Sequence, residues 1–128
     1  MHNEGQKPAV ERVIISHIEN RQAFKHLLEN NQGQIILKFG AEWCYPCKQI
    51  EQLVHTYFTK APPHIICGEI DVDQSFDLYA YLKTKKMISG IPSILLYCKG
   101  NTTFIPDDSI SGTNEAEIVA FFNRCNIH

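Results

Sequence analysis

Cys44 and Cys47 stand two residues apart in the run Trp43-Cys44-Tyr45-Pro46-Cys47-Lys48. A pair so spaced can interconvert between dithiol and disulfide, supply half of a zinc site, or put one thiolate to work as a nucleophile. Four-coordinate zinc needs two more ligands, usually at similar spacing. No second cysteine pair follows, and the histidines His2, His17, His26, His55, His64 and His128 are dispersed. A cysteine hydrolase needs a histidine partner and an oxyanion site, and no local sequence favours either. An inert buried pair is the remaining alternative, and the pair's place in the chain argues against it.

That place is a junction. Residues 34–39 are nearly continuous apolar sequence around Ile35, Ile36 and Leu37, which suits a central strand covered on both faces. Beyond the cysteines, Ile50, Leu53, Val54, Tyr57 and Phe58 recur at helical spacing, and Ala61-Pro62-Pro63 ends that helix. The pair therefore sits at a helix N-terminus, where free N–H groups and a partial positive charge favour an anion. Thiolate is the reactive form of cysteine, and this location lowers its pKa. Cys44, nearest the helix tip, is the expected nucleophile. Cys47, one turn on and more covered, is expected to resolve the mixed disulfide. Pro46 is compatible because the first helical turn does not need its N–H.

The remaining elements follow from the same rules. Residues 1–11 are expected to form a flexible N-terminal extension and 12–128 a single domain. Strands are expected at 13–18, 64–72 and 93–98, and helices at 21–30 and 76–86. Lys99-Gly100-Asn101 reads as a hairpin turn into a strand at 102–105. Asn114-Glu115-Ala116-Glu117 resembles a capping box opening a last helix with Ile118, Phe122 and Cys125 on one face. The sum is an α/β domain with a mixed sheet.

A chain of 128 residues is long enough for one sizeable core. Its formal charge of −2, with no basic run, predicts no attraction to nucleic acid or anionic lipid. No stretch reaches the roughly 18 apolar residues of a membrane span. The start of the sequence lacks the apolar segment of a secretory signal, so an intracellular, reducing compartment is expected, the cytoplasm. Five cysteines cannot all pair within one chain. Cys67, Cys98 and Cys125 lie in or beside apolar runs and read as small buried hydrophobes. Cys125, near the chain end, is the one best placed to be an exposed regulatory thiol. The sequon Asn101-Thr102-Thr103 reads as chance.

Phe39-Gly40-Ala41-Glu42-Trp43-Cys44-Tyr45-Pro46-Cys47-Lys48 resembles the active-site segment of thioredoxins. Ile88-Ser89-Gly90-Ile91-Pro92-Ser93-Ile94-Leu95-Leu96-Tyr97 is similar to that family's second signature, and Asp71-Val72-Asp73-Gln74 and Ser111-Gly112-Thr113 also fit. The likeness runs from about residue 12 to 126. It implies the thioredoxin fold: a central mixed sheet of about five strands flanked by four helices. The implied strand order is the N-terminal strand, 64–72, 34–39, 93–98 and 102–105. Read alone, Ile91-Pro92 would be an ordinary trans turn; the resemblance instead implies a cis-proline facing the cysteines. Ile91 would then offer backbone hydrogen bonds to an extended peptide. Trp43, Tyr45, Ile91, Pro92 and Gly112 would line the surface on which partner proteins dock.

The implied activity is reduction of protein disulfides through Cys44 and Cys47, by a monomer, with no bound cofactor and no metal. Its partners would be disulfide-containing proteins. Its electron donor would be a thioredoxin-reductase-like flavoenzyme or a low-molecular-weight thiol. Three departures qualify the resemblance. Tyr45 stands where glycine is usual. Lys38 replaces a buried aspartate and Glu69 replaces a lysine, which suggests an exchanged ion pair tuning the thiols, with Glu69 as proton acceptor for Cys47. The alternative is that Lys38 snorkels to solvent. Finally, the segments before Pro92 and after Gly100 are long, so residues 106–109 should loop out or bend the edge strand. Two rival functions remain at this level: the same chemistry run as a disulfide oxidase or isomerase, and a non-redox binding module or chaperone subunit.

Overall fold

The computed structural model describes residues 12–128, and the extension expected over residues 1–11 lies outside the described residues. Strand β2 (Gln34–Gly40) is the centre of the sheet because its apolar run can be buried on both faces. It pairs in parallel with β3 (Ile65–Asp71) and antiparallel with β4 (Ser93–Cys98). The short β1 (Ile14–Ile15) adds in parallel outside β3, and β5 (Asp108–Ser111) adds antiparallel outside β4. The result is a five-stranded mixed sheet in the order β1-β3-β2-β4-β5.

Alternation along the strands divides the core in two. Ile35, Leu37, Phe39, Leu95 and Tyr97 point to one face, where they meet Phe24 and Leu28 of α1 (Arg21–Glu29) and Leu78 and Leu82 of α3 (Phe76–Thr84). Ile36, Cys67, Ile94 and Leu96 point to the other. There they meet α2 (Tyr45–Lys60) through Ile50, Val54 and Phe58, and α4 (Glu115–Arg124) through Ile118, Phe121 and Phe122. Five strands and four helices make the expected α/β fold. Among the described residues no helix is long and apolar enough to cross a membrane.

Local chemistry sets the helix ends. Asn20 Oδ1 accepts the Ala23 N–H at 2.8 Å, and Asn114 Oδ1 accepts that of Glu117 at 3.0 Å, each satisfying a free donor of the first turn. After α1, Asn31 turns inward and donates to the Tyr97 carbonyl at 3.2 Å. Gly33 is required there, since a Cβ would collide with the His64 carbonyl. Pro62 and Pro63 stop α2, and Arg12 clamps the connection by donating to the carbonyls of Ile65 and Pro62, each at 2.6 Å.

One strand differs from expectation. Residues 102–105 are not the edge strand; β5 is Asp108–Ser111, with Ser93 opposite Ser111 and Leu96 opposite Asp108. The turn itself forms, since the Asn101 N–H donates to the Cys98 carbonyl at 3.0 Å and Gly100 takes φ +92°. The chain then folds over the sheet instead of pairing. Phe104 stacks on Phe24 with ring centroids 5.7 Å apart and meets Tyr81 edge-on at 5.2 Å, while its carbonyl accepts the Tyr97 hydroxyl at 2.8 Å. Asn101 Nδ2 donates to the Ile105 carbonyl and Asp107 Oδ2, both at 2.9 Å, and fastens the loop. Pairing resumes only past Pro106, where Asp108 and Ser109 enter the strand rather than looping out. Two other elements are shorter than the sequence suggests: β1 has two residues, and α3 ends at Thr84 before Lys86 takes φ +60°.

Candidate active site

β2 ends at Gly40, and a turn closed by the Cys44 N–H on the Ala41 carbonyl (3.1 Å) carries the chain into α2. Cys44 is the N-cap: its backbone is extended, and its sulfur accepts the Cys47 N–H at 3.2 Å. This is the donor that a helix N-terminus leaves unpaired, and it already points at the sulfur that would carry negative charge. Cys44 and Cys47 form a disulfide, with Cα atoms 5.3 Å apart. The two residues are 5% and 4% exposed. Both are shielded in this oxidised form, and Cys47 is hardly more covered than Cys44.

The flanking residues are exposed. Trp43 is 68% and Tyr45 73% accessible, so they form an apolar rim around the pair. Trp43 is nevertheless held, because its indole Nε1 donates to Asp73 Oδ2 at 2.7 Å. Asp73 is fixed in turn by Asp71, whose Oδ1 accepts the N–H of Asp73 at 2.8 Å and of Gln74 at 3.2 Å. Across the sheet, Phe39 lies opposite Ser93, which brings Pro92 to the end of β2 that feeds Cys44. The Ile91–Pro92 peptide is cis. The Gly112 N–H donates to the Pro92 carbonyl at 3.0 Å, and Gly112 sits at φ +93° with open space where a side chain would be. Ser93 Oγ lies 2.6 Å from the Gly90 carbonyl and 2.7 Å from Ser111 Oγ, pinning the turn that presents Ile91. The sheet thus places Ile91, Pro92 and Gly112 at the cysteine end.

Beneath the pair, a cleft of about 160 Å³ is lined by Lys38, Gly40, Cys47 and Glu69, among others. Lys38 and Glu69 are register partners on β2 and β3. The exchanged ion pair suggested by sequence does not form: the ion pairs among the described residues are His17–Glu19, Arg21–Asp77, Lys48–Glu42, His55–Glu69 and Arg124–Asp108. Glu69 Oε2 is taken by His55 Nδ1 at 2.9 Å. His55 lies about two turns along α2 from Cys47 and reaches the carboxylate from above. The Lys38 side chain passes beside Gly40: its Cε and Cys47 Sγ lie 3.8 Å and 3.4 Å from the point where a Cβ on Gly40 would stand.

Cys67 and Cys125 are fully buried and Cys98 is half-buried. Burial pushes the Cys67 thiol up to about 11 and the Cys125 thiol up to about 12. Burial and the neighbouring Asp107 also raise that of Cys98. The expectation that Cys125 is the exposed thiol is corrected: it caps α4 against the sheet and is covered by the core, leaving Cys98 the more accessible. Among the described residues no group of three or more His, Cys, Asp or Glu side chains is arranged to hold a metal ion. Two contributors escaped sequence reasoning. Asp73 lay within a segment whose resemblance was noted, but its bond to Trp43 was not foreseen; His55 carried no local signal at all.

The sequence profile of the thioredoxin family matches residues 15–124. Thioredoxin of the horse, Equus caballus, is 30% identical over 109 residues, covering 84% of this chain and 94% of its own length. Thioredoxin of the sheep, Ovis aries, is 30% identical over 113 residues, covering 87% and 98%. Among solved structures, thioredoxin from Trypanosoma brucei brucei superposes with a TM-score of 0.69 at 16% identity, covering 93% of this chain and 96% of that one. Fasciola hepatica thioredoxin gives 0.66 at 24%, covering 86% and 98%. These two likenesses bear on the fold. The family match, which runs from β1 to the last turn of α4, takes in the cysteine pair as well, and the chain belongs to the thioredoxin family of thiol–disulfide oxidoreductases.

Proposed function

We propose that this protein reduces disulfides in partner proteins, with Cys44 as nucleophile and Cys47 as resolving thiol. The observation that carries the reading is the sulfur of Cys44 at the N-cap of α2, receiving the Cys47 N–H under an exposed Trp43–Tyr45 rim. In the reduced protein the Cys44 thiolate attacks a substrate sulfur, the substrate S–S bond breaks, and the departing sulfur takes a proton. Cys47 then attacks Cys44 Sγ, forms the intramolecular disulfide and releases the second substrate thiol. Two electrons and two protons from a flavoenzyme reductase or a low-molecular-weight thiol restore the dithiol.

Trp43, Tyr45, Ile91, Pro92 and Gly112 form the docking surface. Ile91 supplies backbone groups to an extended peptide, and the bulk of Tyr45 narrows which partners fit. One chain holds every residue the cycle needs, so the unit of function is a monomer. Three further thiols left unpaired accord with a reducing compartment such as the cytoplasm. The test is insulin reduction with dithiothreitol as donor. Wild type should accelerate precipitation of the insulin B chain, Cys44→Ser should not, and reduced Cys47→Ser mixed with insulin after the dithiothreitol is removed should accumulate as a mixed disulfide. Equal rates for wild type and Cys44→Ser would refute the assignment.

A further inference from the structure

Strand parity points Lys38 toward α2, between Ile36 and Gly40, at a site only 7% exposed. A lysine so covered is rare unless paired, yet no ion pair among the described residues includes it. It lines the same cleft as Cys47, and its ammonium is not among the fully buried unpartnered atoms of the described residues. Measured from the point where a Cβ on Gly40 would stand, Lys38 Cε lies 3.8 Å away and Cys47 Sγ 3.4 Å. Glycine leaves the gap between them open to the cleft that both line.

The other charged groups reaching this cleft are engaged elsewhere or exposed. Lys48 Nζ lies 3.9 Å from Glu42 Oε2 at the surface, and Glu51 is exposed on α2. Asp71 Oδ1 is occupied by two backbone N–H groups. Glu69 opposes Lys38 from β3, but its carboxylate is turned to His55.

We propose that Lys38 is a positioning residue for the second step of exchange, its ammonium favouring the thiolate of Cys47. The inference deepens the disulfide-reductase reading and rests on it. In the mixed disulfide, Cys47 releases its proton to water in the cleft. The thiolate electron pair forms the bond to Cys44 Sγ, the Cys44–substrate bond breaks with its pair on the substrate sulfur, and that sulfur is protonated. No carboxylate base is required beneath Cys47. A nearby opposite charge shifts an ionisation by about one unit or more, which is roughly tenfold in thiolate below the midpoint.

The test is a carbon-13 NMR titration of the Cys47 Cβ resonance in the reduced full-length protein. Lys38→Met should raise the midpoint by about one pH unit, a tenfold loss of thiolate at a given lower pH. Lys38→Arg, which keeps the charge, should stay within about threefold of wild type. A folded Lys38→Met protein with an unmoved or lowered midpoint overturns the proposal. Should that variant not fold, wild type alone decides. The Lys38 Cε resonance should inflect at the Cys47 midpoint and lose that inflection in Cys47→Ser, since coupling is reciprocal. No inflection, or one that survives in Cys47→Ser, overturns it. A protein that shows the coupling but does not reduce insulin supports the role of Lys38 at Cys47 and refutes the reductase reading; insulin reduction without coupling does the reverse.

Discussion

Cys67 on β3 and Cys125 at the end of α4 make alkaline stability a quantitative probe of the core. Both side chains are fully buried on the α2–α4 face. Burial holds their thiols at about 11 and about 12, against 9.0 for a thiol in water. Above pH 9 the unfolded chain therefore loses protons that the folded chain keeps. The unfolded state then binds fewer protons, so the free energy of unfolding falls as pH rises. For each group this loss is absent below about pH 9, grows by up to about 1.4 kcal/mol per pH unit, and ends once the folded thiol itself ionises. At pH 10 the two groups together should remove about 3 kcal/mol relative to pH 7, a large share of the 5–15 kcal/mol that holds an ordinary domain.

The assay is urea unfolding at pH 7, 9 and 10 in a Cys44→Ser, Cys47→Ser, Cys98→Ser background, with and without Cys67→Ala and Cys125→Ala. The alanines cost packing at every pH, and other titrating groups are common to both proteins, so the difference in slope isolates the two thiols. The background should lose about 3 kcal/mol more than its alanine variant between pH 7 and pH 10. Parallel stability curves would refute the reasoning.

Phe104→Ala should remove the stack on Phe24 and the edge contact with Tyr81. A loss of about 2–3 kcal/mol in urea unfolding, with faster amide exchange over residues 101–107, is the expected result. A change below ~0.5 kcal/mol would mean that the loop is not anchored there. Asp73→Ala should free the Trp43 indole, lowering its fluorescence anisotropy while costing under about 1 kcal/mol of stability, because the bond is exposed. Unchanged anisotropy would show that Trp43 is held by something else.

Legibility in the sequence followed how local each determinant was. The junction of β2 and α2 could be read because its signals are adjacent: an apolar run, two cysteines, then Ile50, Val54 and Phe58 on one face. The edge strand could not. Residues 102–105 have the composition of a strand, but Phe104 packs against Phe24 and Tyr81, neither of them near it in sequence. Lys38 and Glu69 were recognisable as neighbours only through the family resemblance, and the register of β2 and β3 does place them opposite one another. Their side-chain partners were not recognisable, since His55 reaches Glu69 from another element. The buried state of Cys125 was missed for a similar reason: nearness to a chain end says nothing about what α4 packs against. The cis geometry at Pro92 was accessible only through family resemblance, as Ile91-Pro92 by itself reads as an ordinary turn.

The central claim is that α2 makes the Cys44 sulfur an easily ionised nucleophile. It is tested most directly by the pH dependence of iodoacetamide alkylation of the reduced protein, with the modified cysteine identified by mass spectrometry. Cys44 should react first, with a midpoint well below that of an ordinary thiol. A Cys44 that titrates like a free thiol, or that reacts no sooner than Cys98, would contradict the account.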